Sequence, residues 1–348
     1  MFYVNLFTIF DKIMLLIQQF IFFGYYIKKK ELRLKDTNTP HIPVLLNEVV
    51  EYFSNLDSGA YIDCTLGYGG HSYNILKNNS NLSLIGIDRD KEAIEFSSNR
   101  LSSFKDRVTI LQGSFSKLLN DIDFSNVVAL LADFGVSSLQ LDKEDRGFSF
   151  NSNVLDMRMD QNSPFSAKNV VNEYSLEMLT QIFREYGEMR DAKKVASKIV
   201  SYREKKQISS SKELADIISL VSNKKSKIHP ATLAFQAIRM EVNSELSEIK
   251  QLLDILEEKR VKNLLVALIT FHSLEDRLVK QRFKKWATKC ICPPNVYKCV
   301  CGNNNNLGNI ITKKPIIASK EEIAQNPRSR SAKLRIFRFN SNYVIEDY

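Results

Sequence analysis

Between residues 43 and 133 the apolar positions alternate between two spacings. Val44, Leu45, Val49 and Phe53 recur at three-to-four-residue intervals, which predicts a helix over 43–53. Short, mainly apolar runs at 60–66, 82–87, 108–111 and 127–132 predict strands, the last of them buried, and 71–77 and 92–104 between them predict helices. Gly67-Tyr68-Gly69-Gly70 stops the first run, and Asp88 and Asp133 follow the second and fourth. Strands alternating with helices at this length predict an α/β fold, a parallel sheet covered on both faces.

The next strand pattern is Leu264–Phe271, about 130 residues on, whereas a crossover unit takes roughly 30. A long structureless loop is a poor explanation for the gap. Leu176, Leu179, Ile182, Phe183 and Tyr186 share one helix face, and Val195, Ile199 and Tyr202 share another. Ser210 with Glu213 predicts a cap opening a helix to Val221, and Thr232–Leu256 reads as one long amphipathic helix. Residues 141–246 are therefore expected to form an all-helical domain inserted into an α/β domain made of 41–140 and 247–348.

Residues 1–40 differ from the rest. Ile13–Ile27 is apolar except at Gln18, Gln19 and Gly24, and Lys28-Lys29-Lys30 follows. Fifteen residues fall short of the ~20 needed to span a bilayer, and the basic cluster lies on the wrong side for a secretory signal. The segment is expected to be a dispensable extension, with the folded protein starting near His41, in the cytoplasm and without a membrane partner. A weak membrane-surface anchor is the alternative.

Apolar residues make up 44% of the 348 and charged residues 26%, which excludes a disordered, collagen-like or multi-span membrane chain. The net charge of +9 is uneven: residues 277–348 hold 15 Lys/Arg against 4 Asp/Glu. Such an excess suits a polyanion, though charge alone does not choose between RNA, DNA and anionic lipid. Four of the five cysteines form the pairs Cys290-x-Cys292 and Cys299-x-Cys301. Four thiolates suit tetrahedral zinc, but the pairs are tighter than C-x₂-C, so zinc and reduced thiols both stand, with disulfides disfavoured in a cytosolic setting.

The sharpest chemical signal is Asp63-Cys64-Thr65-Leu66-Gly67-Tyr68-Gly69-Gly70-His71. A strand, glycines and then a helix let backbone approach a nucleotide-like ligand closely. Asp88, 21 residues after Gly67, is placed to accept from both hydroxyls of a ribose. A dinucleotide fingerprint would carry a third glycine where Ser72 stands. The acidic Asp63 suits a cationic amino-acid end better than a pyrophosphate, which favours S-adenosylmethionine over NAD. A methyltransferase, an NAD-dependent dehydrogenase and a structural tight turn all remain readings of this loop. Phe115 would cover an adenine or fill the core. Asp133 would touch both cofactor and substrate, and His272 would steady a base or sit satisfied at a strand end. Ser273 with Asp276 is expected to cap the helix after it.

Taken together, the segments resemble the MraW-type methyltransferases of bacteria, which modify 16S ribosomal RNA at a cytosine N4. They are HIPVLLNEVV (41–50), DCTLGYGGHS (63–72), GIDRD (86–90), ADFGVSSLQLD (132–142), RGFSF (146–150), LDMRMD (155–160), HPATLAFQAIRMEVNSEL (229–246), TFHSLEDR (270–277) and NPRSRSAKLR (326–335). The resemblance implies a Rossmann-like class I methyltransferase sheet with an inserted helical domain, using S-adenosylmethionine. It implies cofactor contacts at Gly69, Gly70, His71, Asp88, Phe115, Asp133 and Gln140; a carboxylate accepting a hydrogen bond from the N4 amine would make that amine more nucleophilic, and Asp133 is the catalytic candidate for it. It implies 16S rRNA, in a small-subunit particle, as partner; no metal role and no oligomeric state follow from it. Arg328, Arg330, Lys333 and Arg335, with the helical insert, would grip RNA; Arg146, Arg158 and Arg239 would add phosphate contacts or pair with nearby acids. After Asp133 stands Phe134-Gly135-Val136 rather than the Pro-Pro-aromatic run of many amino-methylating enzymes, so the N4 target rests on the resemblance. A non-catalytic RNA-binding assembly factor would share the basic tail without needing Asp133.

Overall fold

The computed structural model describes residues 42–136, 141, 143–221 and 229–340. The expectations for residues 1–40 and for Gln140 lie outside these. The central sheet has the order β3-β2-β1-β4-β5-β8-β6, with β7 also on β8. The strands are β1 Gly59–Asp63, β2 Leu82–Asp88, β3 Val108–Gln112, β4 Val127–Asp133, β5 Leu265–Thr270, β6 Gly308–Ile310, β7 Ile316–Ile317 and β8 Lys333–Phe339. From β3 to β5 all neighbours are parallel, while β8 lies antiparallel to β5, β6 and β7. The fold is thus a Rossmann-like α/β sheet carrying a helical insert.

Strand chemistry follows position. β1 (GAYID) and β5 (LVALIT) are buried at every residue, as central strands covered on both faces must be. At the edge, β3 is only partly covered. The chain winds outward from β1 to β2 and β3, then restarts at β4 on the other side. The resulting topological switch lies between β1 and β4, where open sheets leave a crevice at the carboxyl ends.

Two apolar cores divide the residues. The first joins the sheet to α10 Glu245–Lys259 and α11 Ser273–Trp286, through Ile249, Leu252, Leu253, Leu256, Phe283 and Trp286. The second lies among α5 Ala167–Glu173, α6 Leu176–Glu185, α7 Ala192–Arg203, α8 Ser211–Ser219 and α9 Thr232–Asn243. The faces read from sequence supply it: Leu179, Ile182 and Phe183 from α6, Val195 and Ile199 from α7. Ser210 does cap α8, accepting from the Glu213 N–H at 3.1 Å. Among the described residues no helix is long and apolar enough to cross a membrane.

Two local expectations are corrected. The single helix expected over Thr232–Leu256 breaks at Ser244, which is left-handed at φ 52°. At the break, the side chain of Asn243, the last residue of α9, donates to the Met157 carbonyl and accepts from the Met159 N–H, both at 2.8 Å, which anchors the helix end there. The expected Ser273–Asp276 cap is instead His272 with Glu275. His272 Nδ1 accepts from the Glu275 N–H at 3.5 Å, and Glu275 Oε2 accepts from the Phe271 and His272 N–H groups. Asp276 is taken by Arg335 at 2.7 Å and Lys333 at 3.3 Å.

The chain ends of the domain meet. Leu45, left-handed at φ 54°, precedes α1 Leu46–Ser54 and donates its N–H to Glu322 Oε1 at 2.7 Å. Asn326 Nδ2 donates to the Ile42 carbonyl at 3.1 Å. Glu322 belongs to α12 Lys320–Gln325, just before β8.

Candidate active site

The carboxyl ends of β1, β2 and β4 open onto a cleft holding about 1260 Å³ of non-protein space, open solvent at its mouth included. Gly67, Gly70, His71, Asp88, Phe115, Asp133, Glu245, Glu275 and Arg328 are among its walls.

The glycine loop turns sharply from β1 into α2 Gly70–Asn78, with Gly69 at φ 67°, a conformation that costs most residues strain. At Gly70 the constraint is close approach: a Cβ there would sit 2.3 Å from Pro43 Cγ. Gly69 lies behind the wall, facing Ser97 and Leu101, rather than in it. His71 is buried and its Nε2 meets the Val44 carbonyl at 2.9 Å, so the loop and the entry segment hold each other.

Three carboxylates gather at the strand ends. Asp63, buried beneath the floor, accepts from Ser72 Oγ at 2.7 Å and from the Thr65 N–H at 3.2 Å. Ser72, where a dinucleotide loop would carry glycine, is the residue that fixes this acid. Burial first, then the charge of Asp88, pushes Asp63 up to about 6 against those hydrogen bonds. Asp88 Oδ2 accepts from the Gly67 N–H at 2.7 Å, and its Oδ1 accepts from the Asp90 N–H at 2.9 Å. Desolvation raises Asp88 above the usual carboxylate range. Asp133 receives the Gly135 N–H at Oδ1 (3.0 Å), while its own N–H donates to Thr65 Oγ1 at 2.6 Å. Desolvation, then the charges of Asp63 and Glu275, pushes Asp133 up to about 7. Among the described residues no Lys or Arg forms an ion pair with Asp63 or Asp133. The three acids therefore favour a ligand that brings positive charge.

Phe115 is the first residue of α4 Phe115–Leu118. It is buried against Phe134, with ring centroids 6.5 Å apart, and it also lines the cleft. His272 is spent on the start of α11, its Nε2 3.0 Å from Glu275 Oε1. Sequence reasoning missed a wall contributed from a distance. Arg89 pairs with Glu248 at 3.0 Å and donates to the Asn243 carbonyl at 3.2 Å, and Ser114 Oγ donates to Glu248 at 2.6 Å. GIDRD held the only signal for it, an arginine beside Asp88.

The three arginines weighed as phosphate ligands sit in ion pairs. Arg146 meets Asp90 at 2.9 Å, Arg158 meets Asp156 at 2.7 Å, and Arg239 is bidentate on Glu245 at 2.8 and 2.9 Å. Of the C-terminal basic residues, Lys333 and Arg335 hold Asp276, while Arg328 and Arg330 are exposed.

The sequence profile of the MraW methylase family matches residues 38–340. The chain belongs to the MraW methylase family. Two curated relatives are each called Ribosomal RNA small subunit methyltransferase H. The one from Sulfurovum sp. (strain NBC37-1) is 57% identical over 304 residues, 87% of this chain and 99% of its own. The other, from Campylobacter concisus (strain 13826), is 55% identical over 303 residues, 86% of this chain and 98% of its own. MraW membership makes the chain a methyltransferase that uses S-adenosylmethionine. The donor set fits that cofactor: a sulfonium and an amino-acid ammonium bring positive charge to three acids, and Asp88 has lone pairs left for a ribose.

Proposed function

We propose that the protein methylates the N4 amine of a cytidine in the decoding region of 16S ribosomal RNA, within a small-subunit particle. The relatives' names support a small-subunit rRNA substrate, and the observation that carries the chemistry is Asp133, raised to about 7 at the carboxyl edge of β4. When bound, S-adenosylmethionine supplies an electrophilic methyl; Gly69 sets the turn, Gly70 and His71 border its amino-acid end, and Asp88 takes the ribose. Phe115 borders the adenine. The exocyclic amine of cytosine is a poor nucleophile because its lone pair is delocalised into the ring. Asp133 accepts a hydrogen bond from that amine and takes its proton at a carboxylate oxygen as the new bond forms. A group raised to about 7 is well matched to this task near neutral pH.

The target base must turn out of its stack to reach this depth, at a cost of a few kcal/mol. The helical domain, read as 141–246, and exposed Arg328 and Arg330 hold the flanking RNA. Arg146, Arg158 and Arg239 serve the architecture of the insert instead. Labelled methyl transfer to small-subunit particles, followed by nucleoside mass spectrometry, tests the reading. N4-methylcytidine in 16S rRNA is expected, and methylation of another base or of no RNA refutes it.

Asp88→Ala is expected to weaken S-adenosylmethionine binding about 10–100-fold, by loss of charge-assisted hydrogen bonds. Calorimetry reads the change, and RNA affinity should hold; equal losses in both would remove the ribose role. Cofactor binding is also expected to release protons near pH 6.5. Asp63 and Asp133 are partly protonated there in the free protein, and a cationic ligand lowers both. Titration calorimetry in buffers of different ionisation enthalpy measures the release, and proton uptake would contradict the assignment.

A further inference from the structure

Between α11 and β6, residues 288–306 form an ordered loop without a single buried residue. Ile291, Val296, Tyr297 and Val300 point into solvent, so no apolar core holds it. Its base is tied by the Leu307 N–H to the Trp286 carbonyl at 2.7 Å and by the Asn305 N–H to the Lys289 carbonyl at 3.0 Å. Beyond that base, its order centres on four sulfurs.

These sulfurs have a specific geometry. Cys290 and Cys299 Sγ are 3.7 Å apart, Cys292 and Cys299 3.9 Å, Cys299 and Cys301 3.6 Å, and Cys290 and Cys301 3.8 Å. All four lie within 4.8 Å of one another. A tetrahedron with Zn–S bonds of 2.3 Å has edges of about 3.8 Å, whereas a disulfide would need about 2.05 Å. The middle residues of the two pairs also cross over. The Ile291 N–H donates to Cys301 Sγ at 3.4 Å and the Val300 N–H to Cys292 Sγ at 3.3 Å, the bonds that stabilise thiolates.

We propose that Cys290, Cys292, Cys299 and Cys301 bind one zinc ion. Four Zn–S bonds form and four thiol protons leave to solvent. The site keeps a net charge of −2, facing the two backbone N–H groups with Lys289 and Lys298 in the same loop. Zinc suits this exposed position because it has no redox chemistry, while iron in a tetrathiolate so open would oxidise. All four positions are filled by protein, so the ion orders the loop and takes no part in methyl transfer.

The full chain, purified without chelator and with zinc in the growth medium, is analysed by elemental mass spectrometry. About one zinc per chain is expected. Cys290→Ser with Cys301→Ser should lose it, while Lys298→Ala keeps it. Since a cysteine variant can also misfold, the wild-type chain provides a second reading. Stripping the metal with a mercurial should make the chain cleavable by trypsin at Lys289 and Lys298, and removing the mercurial with excess thiol and re-adding zinc should restore protection. Iron in place of zinc, four freely reactive thiols without metal, or a mass lower by two disulfides would each overturn the proposal.

Discussion

Asp133→Asn is expected to keep the fold and reduce methyl transfer by about 10²–10⁴-fold, the range for removing a positioned general base. The substitution preserves size and leaves an oxygen for the Gly135 N–H, while the proton acceptor is lost. For the wild-type enzyme, kcat/KM for S-adenosylmethionine, which follows the cofactor-free protein, should climb with pH through about 7, since Asp133 must be ionised to work. Stability moves the other way. The folded value of about 7 lies above the ordinary 3.8, so the folded chain holds the proton more tightly than the unfolded chain. Folding free energy from this residue is thus greatest below pH 4 and falls as pH rises to 7. Asn escapes this penalty, so at pH 8 the inactive variant should melt above the wild type in the absence of cofactor. Near-normal turnover would remove Asp133 from the chemistry, and a lower melting temperature would contradict its desolvation.

Arg146→Met is expected to cost about 3–5 kcal/mol of stability, as breaking a buried ion pair from one side does. Arg146 and Asp90 have side chains only 3% and 4% exposed, so deleting one leaves a charge that water cannot reach. The guanidinium also donates to the carbonyls of Arg158 and Met159, and Asp90 accepts from the Glu92 N–H to start α3 Lys91–Arg100. One substitution thus loosens both the lead into the insert and the end of β2. Denaturant titration reads the loss. Adding Asp90→Asn should recover part of it, because the coupling is mutual. A change below about 1 kcal/mol would mean that Asp90 finds another partner.

The sheet was legible wherever one short apolar run met one acid. β1, β2 and β4 each end on Asp63, Asp88 or Asp133, and the long gap before β5 announced the insert. β8 escaped notice because Lys333, Arg335 and Arg338 interrupt its apolar positions, and burial of Arg335 depends on Asp276, 59 residues earlier. The break at Ser244 was hidden for a similar reason. The apolar spacing runs straight through it, while the contacts that anchor the helix end there, from Asn243 to Met157 and Met159, come from more than 80 residues back. At the cleft, residue types at strand ends identified the acids. Their charge states and the Arg89–Glu248 wall follow from distant neighbours that spacing does not report.

Pro43 and Val44 border the cleft, yet the clasp on this segment comes from Glu322 and Asn326, 277 and 284 positions further along. During synthesis the amino end therefore emerges long before its fastener exists. The partly made protein has the acids of β1, β2 and β4 but an unfinished wall beside them, so donor capture belongs to the released chain.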